Sequence, residues 1–221
     1  MQSSQVNSKK DQLAENTYIG IYGPYEITAQ DKKEVQFYRQ SLLLSAISYS
    51  IGLIHWLLLG PNFAWVWFLA MSVGIGFSLY WIHIYIKQLH NALKFLWFVG
   101  SIGSIILLIK FHPSDVLARL VNEPLWILPA GPLFAALTGI GFKEFFCFRR
   151  IEAIGLTLIV PLALLAHIFK IINSTNTFIL LFLSSILLLV LAIRKFGTEA
   201  SLDIGDKSVF DYLNSSSLIS N

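Results

Sequence analysis

Long stretches of the sequence contain no charged residue, and they give the first indication of its fold. The longest runs from Gln40 to Ile86, 47 residues without Asp, Glu, Lys or Arg. A helix of about 20 residues already crosses the hydrocarbon of a bilayer, so this stretch is too long for one span. Gly60-Pro61-Asn62 divides it, because adjacent glycine and proline are strong turn signals. The pattern predicts two membrane-spanning helices joined by a short turn.

Four further apolar stretches bring the predicted number of spans to six. The spans cover about 41–59, 63–86, 91–111, 125–147, 152–172 and 176–193. We therefore expect an all-α polytopic membrane protein, a bundle of six transmembrane helices within residues 29–193. Residues 1–28 are expected to form a flexible tail, and residues 194–221 a C-terminal tail. Four crossings are the alternative, with the first two helices as a shallow re-entrant hairpin.

The first helix is expected to begin before its span. Thr28-Ala-Gln-Asp31 has the residue types of a helix N-cap, which places the start near Ala29. No apolar segment of a cleavable signal peptide precedes Ser41.

The distribution of basic residues predicts the orientation. With six spans both termini lie on one side, and thirteen of the 16 Lys and Arg residues fall on that side. The other three are Lys110, Arg119 and Lys170. The positive-inside rule then places both termini in the cytoplasm, or in the stroma of a plastid.

Composition excludes several classes of protein. Of the 221 residues, 55% are hydrophobic and only 13% are charged, whereas a soluble domain carries about 25% charged residues. An ordinary soluble enzyme and a disordered chain are therefore excluded. A net charge of only +3 argues against a nucleic-acid partner, and the single cysteine, Cys147, excludes a disulfide framework or a cysteine-rich zinc site.

The predicted fourth span has the most distinctive pattern. Gly131, Ala135 and Gly139 recur every four residues, a small-residue stripe that lets two helices pack closely in a membrane. Pro129 and Pro132 are expected to kink or break the helix near its outer end.

The inner end of that span carries a candidate polar site of four ionisable residues: Lys143, Glu144, Arg149 and Arg150. Ionisable residues inside a membrane often mark functional sites. The alternative is a packing helix whose basic end anchors at the membrane interface, where long side chains reach water. This alternative is favoured.

Two histidines are candidate ligands of haem or chlorophyll. His55 and His167 lie at similar predicted depth near the outer ends of two spans, as paired axial ligation requires. Hydrogen-bonded packing residues are the favoured interpretation, so the expected cofactor is none.

Four basic residues form a candidate surface for lipid headgroups. His83, Lys87, His90 and Lys94 would share one face of a continuous helix. A chain reversal near Asn91 would split them into two pairs, and an ordinary basic loop is the favoured interpretation.

No catalytic or metal-binding template is present. The sequence has no P-loop and no HExxH motif, and aspartate is absent from every predicted span. We expect no catalytic residues and no metal site.

Two segments, together with the region His83–His90, carry a family resemblance. They are Tyr22–Thr28, and Gly131–Gly139 continuing into Phe142–Arg150. They resemble an uncharacterised integral membrane protein family of cyanobacteria and plastids, domain of unknown function 2301, over roughly Tyr18–Lys195. The resemblance implies a photosynthetic source and a thylakoid or plasma membrane, and it supplies no catalytic residues.

Three functions are compatible with these features. The leading hypothesis is a non-enzymatic assembly or accessory factor for photosynthetic membrane complexes, in contact with membrane lipids and with a photosystem or other thylakoid proteins. A small transporter or channel is the second hypothesis, because broken helices such as Pro129–Pro132 build transport sites. A haem- or chlorophyll-binding protein is the third.

Overall fold

The structure is a computed structural model, and it describes residues 17–209 and Tyr212. The chain divides into two compact units. The smaller comprises Met1–Gln36 with Thr198–Asn221, and the larger comprises Phe37–Gly197. Both consist mainly of helices in their described parts, so the protein is all-α apart from one short hairpin.

Eight α-helices are found in the described residues. They are α1 (Ala29–Leu59), α2 (Trp65–Trp81), α3 (Lys87–Lys110), α4 (Val116–Asn122), α5 (Gly131–Phe148), α6 (Ile151–Ile168), α7 (Ser174–Lys195) and α8 (Ala200–Ile204). A 3-10 helix, Pro124–Ile127, precedes α5. Four helices, α1, α3, α6 and α7, are long and apolar enough to cross a membrane, while α2 is apolar but has only 17 residues.

A reciprocal pair of hydrogen bonds fixes the start of α1, which begins at Ala29 as expected. The backbone N–H of Asp31 donates to the Thr28 hydroxyl at 3.2 Å. The backbone N–H of Thr28 donates in turn to the Asp31 carboxylate at 2.7 Å. This is the geometry of a capping box, in which two amides that lack partners in the helix are both satisfied.

The smaller unit is folded where the sequence suggested flexible tails. Strands β1 (Thr17–Gly20) and β2 (Gly23–Glu26) form an antiparallel hairpin. Ile27, Val35 and Ile204 form a buried apolar cluster in this unit. Apolar contacts with residues nearly 180 positions away in the sequence explain the difference, because a local pattern does not reveal them. Residues 1–16, 210–211 and 213–221 lie outside the described part.

The connection between α2 and α3 lies earlier than predicted. Helix α2 ends at Trp81 and α3 starts at Lys87, so the chain reverses over residues 82–86 and not near Asn91. The His90 Nε2 atom lies 2.7 Å from the backbone oxygen of Leu79 and so links the two helices just beyond the reversal.

The break at the two prolines is confirmed. The 3-10 helix ends at Ile127, and α5 starts at Gly131 with Pro132 in its first turn. Proline has no N–H to donate and a fixed φ, so it suits the first turn and disrupts a helix interior.

The close approach of α3 to α5 is made mainly by glycines of α3. A Cβ atom at Gly100 would overlap the Leu133 backbone, and one at Gly103 would overlap the Pro129 carbonyl. Of the predicted stripe only Gly139 is packed in this way, against Leu93 of α3.

For the other two residues of the stripe, the predicted close packing is wrong. A Cβ at Gly131 would meet no atom within 4 Å, and Ala135 is exposed. The spacing of four was real, but the helix is rotated so that Leu133, Ala136, Leu137 and Ile140 face the core.

Candidate functional site

A buried carboxylate lies at the centre of the ionisable residues in the larger unit. Glu144 near the end of α5 has no exposed surface, and Lys195 at the end of α7 has none either. The Lys143 Nζ donates to Glu144 Oε1 at 3.0 Å, and the Lys195 Nζ lies 2.9 Å from Oε2. The Tyr38 hydroxyl of α1 also donates to Oε1, at 2.7 Å. We call these four residues the Glu144 cluster.

Aromatic rings offset the excess positive charge of this cluster. Two lysines face one glutamate, so as charged groups they leave one positive charge unmatched. The Lys195 Nζ lies 4.0 Å from the centre of the Phe148 ring, and the Lys143 Nζ lies 5.2 Å from it. The negative face of an aromatic ring attracts a cation at such distances, most strongly where water is excluded.

A second ion pair lies on the neighbouring helices. Glu152, in the first turn of α6, is 6% exposed. The Arg194 Nη1 atom of α7 donates to both of its carboxylate oxygens at 2.9 Å. The Arg150 Nη1 lies 3.7 Å from Glu152 Oε1. We call these three residues the Glu152 cluster.

Both clusters lie at the same end of the helix bundle. Tyr38 is in the N-terminal part of α1, α5 and α7 end there, and α6 begins there. Burying a charge away from water is costly unless it is paired and hydrogen-bonded. The clusters meet that condition by tying four helices together at one level.

The structure brings together some of the four residues of the predicted polar site. Lys143 and Glu144 are in direct contact, and Arg150 belongs to the neighbouring cluster. Arg149 is exposed and adopts a left-handed conformation, with φ 52°. Its backbone N–H donates to the Phe145 carbonyl at 2.7 Å, so this residue ends α5.

Four members of the two clusters are not predicted from the sequence. They are Tyr38, Glu152, Arg194 and Lys195. The two basic residues fall in the predicted C-terminal tail, because the predicted last span ends at residue 193. The sequence does contain one signal. A glutamate in an apolar helix needs a cationic partner, and any cation beyond the adjacent Lys143 has to come from the end of another span.

The two candidate haem or chlorophyll ligands are hydrogen-bonded to protein groups. Both ring nitrogens of His55 have partners, since Nε2 lies 2.8 Å from the Asn62 carbonyl oxygen and Nδ1 accepts from the Trp67 indole at 3.3 Å. The Nδ1 atom of His167 lies 3.2 Å from the Thr177 hydroxyl. His55 would have to break one of its two contacts to bind iron or magnesium.

The basic surface predicted from four residues is smaller than expected. Lys87, His90 and Lys94 share helix α3, whereas His83 lies in the connection before it. His90 bonds to α2, as described above, and the Lys94 Nζ lies 6.0 Å from the Tyr80 ring centre.

An apolar, partly open cavity of about 150 Å³ lies in the larger unit. Residues from each of the helices α1 to α7 line it, among them Trp56, Phe68, Leu133 and Phe178. It contains neither the Glu144 cluster nor the Glu152 cluster, which lie at the other end of α1, α6 and α7.

The comparisons with known proteins place the chain in a family. Residues 77–212 match the family described as "Uncharacterized integral membrane protein (DUF2301)". The chain belongs to this family, as the resemblance implied. It is also 27% identical over 188 residues to an "Uncharacterized protein" of Haemophilus influenzae, an alignment that covers 81% of this chain and 91% of that protein. No solved structure matches.

The protein is thus an integral, multi-pass membrane protein. A restriction to cyanobacteria and plastids is not supported, because the relative comes from Haemophilus influenzae.

Proposed function

We propose that the protein is a non-enzymatic assembly or accessory factor for membrane protein complexes. The observation that supports this is the burial of Glu144, whose carboxylate is held between two lysines and a tyrosine. A catalytic carboxylate must reach a substrate, whereas this one has no exposed surface and does not line the cavity. The geometry favours a role in holding helices together.

The proposal does not extend to photosynthetic complexes. A photosystem partner and a thylakoid location came from the family resemblance, and the Haemophilus influenzae relative does not support them. The proposed partner is therefore another integral membrane protein of a bacterial membrane, reached through the lipid-facing helices.

Purification with identification of partners tests this function. The full chain, tagged at one terminus, would be solubilised in a mild detergent after brief crosslinking in cells. We expect a membrane protein that co-purifies in a fixed ratio and is lost in a harsh detergent. A clean monomer without a partner, both with and without crosslinking, would contradict the proposal.

Transport is a second candidate, and one observation bears on it. The cavity reaches the broken segment before α5, where Ile127 and Ala130 line it. That lining is apolar, which favours a lipophilic molecule over a hydrated solute. Faster uptake of a lipophilic solute by vesicles containing the purified protein than by protein-free vesicles would favour transport over the accessory role.

We also propose that six helices cross the membrane with both termini in the cytoplasm. Helices α2 and α5 would supply the two spans beyond the four that length and composition identify. Helix α2, with 17 residues, is about 25 Å long, slightly short of the bilayer hydrocarbon. The charged residues of α5 lie within one turn and a half of its end, where the buried pairs neutralise them.

Labelling of single cysteines distinguishes six crossings from four crossings made by α1, α3, α6 and α7 alone. In a Cys147→Ser background, Gln88→Cys and Ser114→Cys would be treated in intact cells with a maleimide that cannot cross membranes. With six spans, residue 114 is labelled at once and residue 88 only after permeabilisation. If α2 and α5 do not cross, the two positions exchange sides and the labelling pattern is reversed.

A further inference from the structure

The size of the cavity in the larger unit and the residues that line it limit which molecules it can hold. Its volume is about 150 Å³, and an apolar cavity of that size holds a benzene-sized molecule. The cavity is partly open, and Met71, Leu107 and Leu133, which are 3% exposed or less, form interior parts of its wall. A single six-membered ring fits such a space, whereas a hydrated ion has no groups there to replace its water.

One polar atom of the described lining residues is accessible and has no protein partner. It is the Nε2 of His167, a residue that is 5% exposed. The Trp65 indole Nε1 has no hydrogen-bond acceptor either, but it is fully buried and does not reach the cavity surface. Other polar lining residues are already satisfied: the hydroxyl of Ser72 pairs with Ser101, and that of Ser104 donates to the Gly100 carbonyl.

The Thr177 hydroxyl lies within hydrogen-bonding distance of two groups, the Asn173 carbonyl at 3.1 Å and the His167 Nδ1 at 3.2 Å. If it donates its one proton to Asn173, Nδ1 carries a proton and Nε2 of the neutral ring is an acceptor; if it donates to Nδ1, Nε2 is a donor. In both cases no described residue pairs with Nε2.

The cavity thus offers one unpaired polar atom, the His167 Nε2, in an otherwise apolar space. A hydroxyl group is both a donor and an acceptor, so it can pair with Nε2 in either tautomer of the neutral ring. A polar group that lacks a hydrogen-bond partner away from water costs free energy. A ligand that forms this hydrogen bond therefore binds more tightly than an apolar ligand of equal size. We propose that this cavity binds a lipophilic ring compound with a hydroxyl group, a molecule of the phenol class.

The direct test compares two probes that differ only in the hydroxyl group. Binding of 4-fluorophenol and of fluorobenzene to the full chain in nanodiscs would be followed by fluorine NMR, with empty nanodiscs as the partition blank. We expect saturable binding at one site per protein, and about fivefold tighter binding of 4-fluorophenol. Equal affinity for the two probes, or partition no greater than in empty nanodiscs, would overturn the proposal.

Matched variants locate the site. His167→Leu is expected to weaken 4-fluorophenol binding about fivefold, and to leave fluorobenzene binding within twofold. His55→Leu is the control, because His55 does not line the cavity. If the control weakens binding as much as His167→Leu does, the proposal is wrong.

A filling variant provides an independent readout. Val116 is buried and lines the cavity, so Val116→Phe is expected to abolish binding of both probes. Thermal unfolding of each variant without ligand shows whether it is folded. A folded Val116→Phe protein that still binds 4-fluorophenol would contradict the proposal. Because no partner protein is involved, the result does not depend on the accessory role.

Discussion

At the scale of single residues, the Glu144 cluster shows how a bundle of apolar helices holds charged side chains. The carboxylate uses both oxygens, Oε1 for Lys143 and Tyr38 and Oε2 for Lys195. Removing one member of a buried ion pair leaves the other charge without compensation, and that loss is large. Exposed pairs behave differently, because water and salt screen them.

The first prediction concerns the carboxylate. Glu144→Gln leaves Lys143 and Lys195 buried without a negative partner, and it is expected to lower the free energy of unfolding by about 3 kcal/mol or more. Replacing Lys195 as well, in Glu144→Gln/Lys195→Met, should restore part of the loss because one buried charge is gone. The measurement is unfolding of the detergent-solubilised protein, followed by loss of helical circular dichroism.

An exposed ion pair of the same chain is the control for that experiment. Arg119 and Glu123 lie one helical turn apart, with side chains 54% and 48% exposed. Glu123→Gln should leave the unfolding transition close to that of the wild type. Equal effects of Glu144→Gln and Glu123→Gln would show that the buried cluster does not stabilise the bundle.

At the scale of elements, the contact between α3 and α5 depends on which glycines lack room for a Cβ atom. Gly100 and Gly103 of α3 abut the backbone of the segment around Pro129 and Leu133. Backbone cannot move aside as the end of a flexible side chain can. Small residues at such points let two helices approach closely, which is how helices associate in a lipid environment.

The second prediction compares two glycines of this region. Gly103→Ala places a methyl group against the Pro129 carbonyl and is expected to cost about 1–3 kcal/mol of stability. Gly131→Ala meets no atom within 4 Å, and alanine is the better helix former, so stability should stay equal or rise slightly. The same unfolding assay measures both. A larger loss in Gly131→Ala would restore the predicted stripe and refute the packing described above.

At the scale of the whole molecule, the smaller unit contains a hydrogen bond between distant parts of the chain. The backbone N–H of Ile21 donates to the Asp206 carboxylate at 2.7 Å, and the Ser208 hydroxyl also donates to it, at 2.6 Å. These bonds hold the pKa of Asp206 below its usual value of 3.8, and the bond from Ser208 has the larger effect. A carboxyl group with a lowered pKa in the folded state stabilises that state above its unfolded pKa.

The third prediction is the pH dependence of that contact. The stabilisation is present above about pH 4, the pKa of an aspartate in an unfolded chain. It is lost as the pH falls through the lower pKa of the folded state. The backbone amide resonance of Ile21, followed by NMR, should therefore titrate with a midpoint below 3.8. Asp206→Asn should remove that transition, and a wild-type midpoint at or above 3.8 would contradict the assignment.

Particular residues show how far the sequence could be interpreted. The start of α1 at Ala29 followed from local capping residues, and the break before α5 followed from two prolines. The Glu144 cluster did not follow, because its four residues come from α1, α5 and α7 and are up to 157 positions apart in the sequence, from Tyr38 to Lys195. Two of them, Lys143 and Glu144, were identified as candidates because they interrupt an apolar helix.

The sequence by itself determined that the protein is helical and lies in a membrane, because long stretches without charge have no other stable environment. It also determined where α1 starts and where the chain breaks before α5, since caps and prolines act on their own neighbours. Only the tertiary structure decided which face of α5 is buried, which lysines share Glu144 and where a cavity remains. These features depend on the relative rotation of packed helices, and a rotation of α5 by a fraction of a turn would exchange the exposed Ala135 for the buried Ala136.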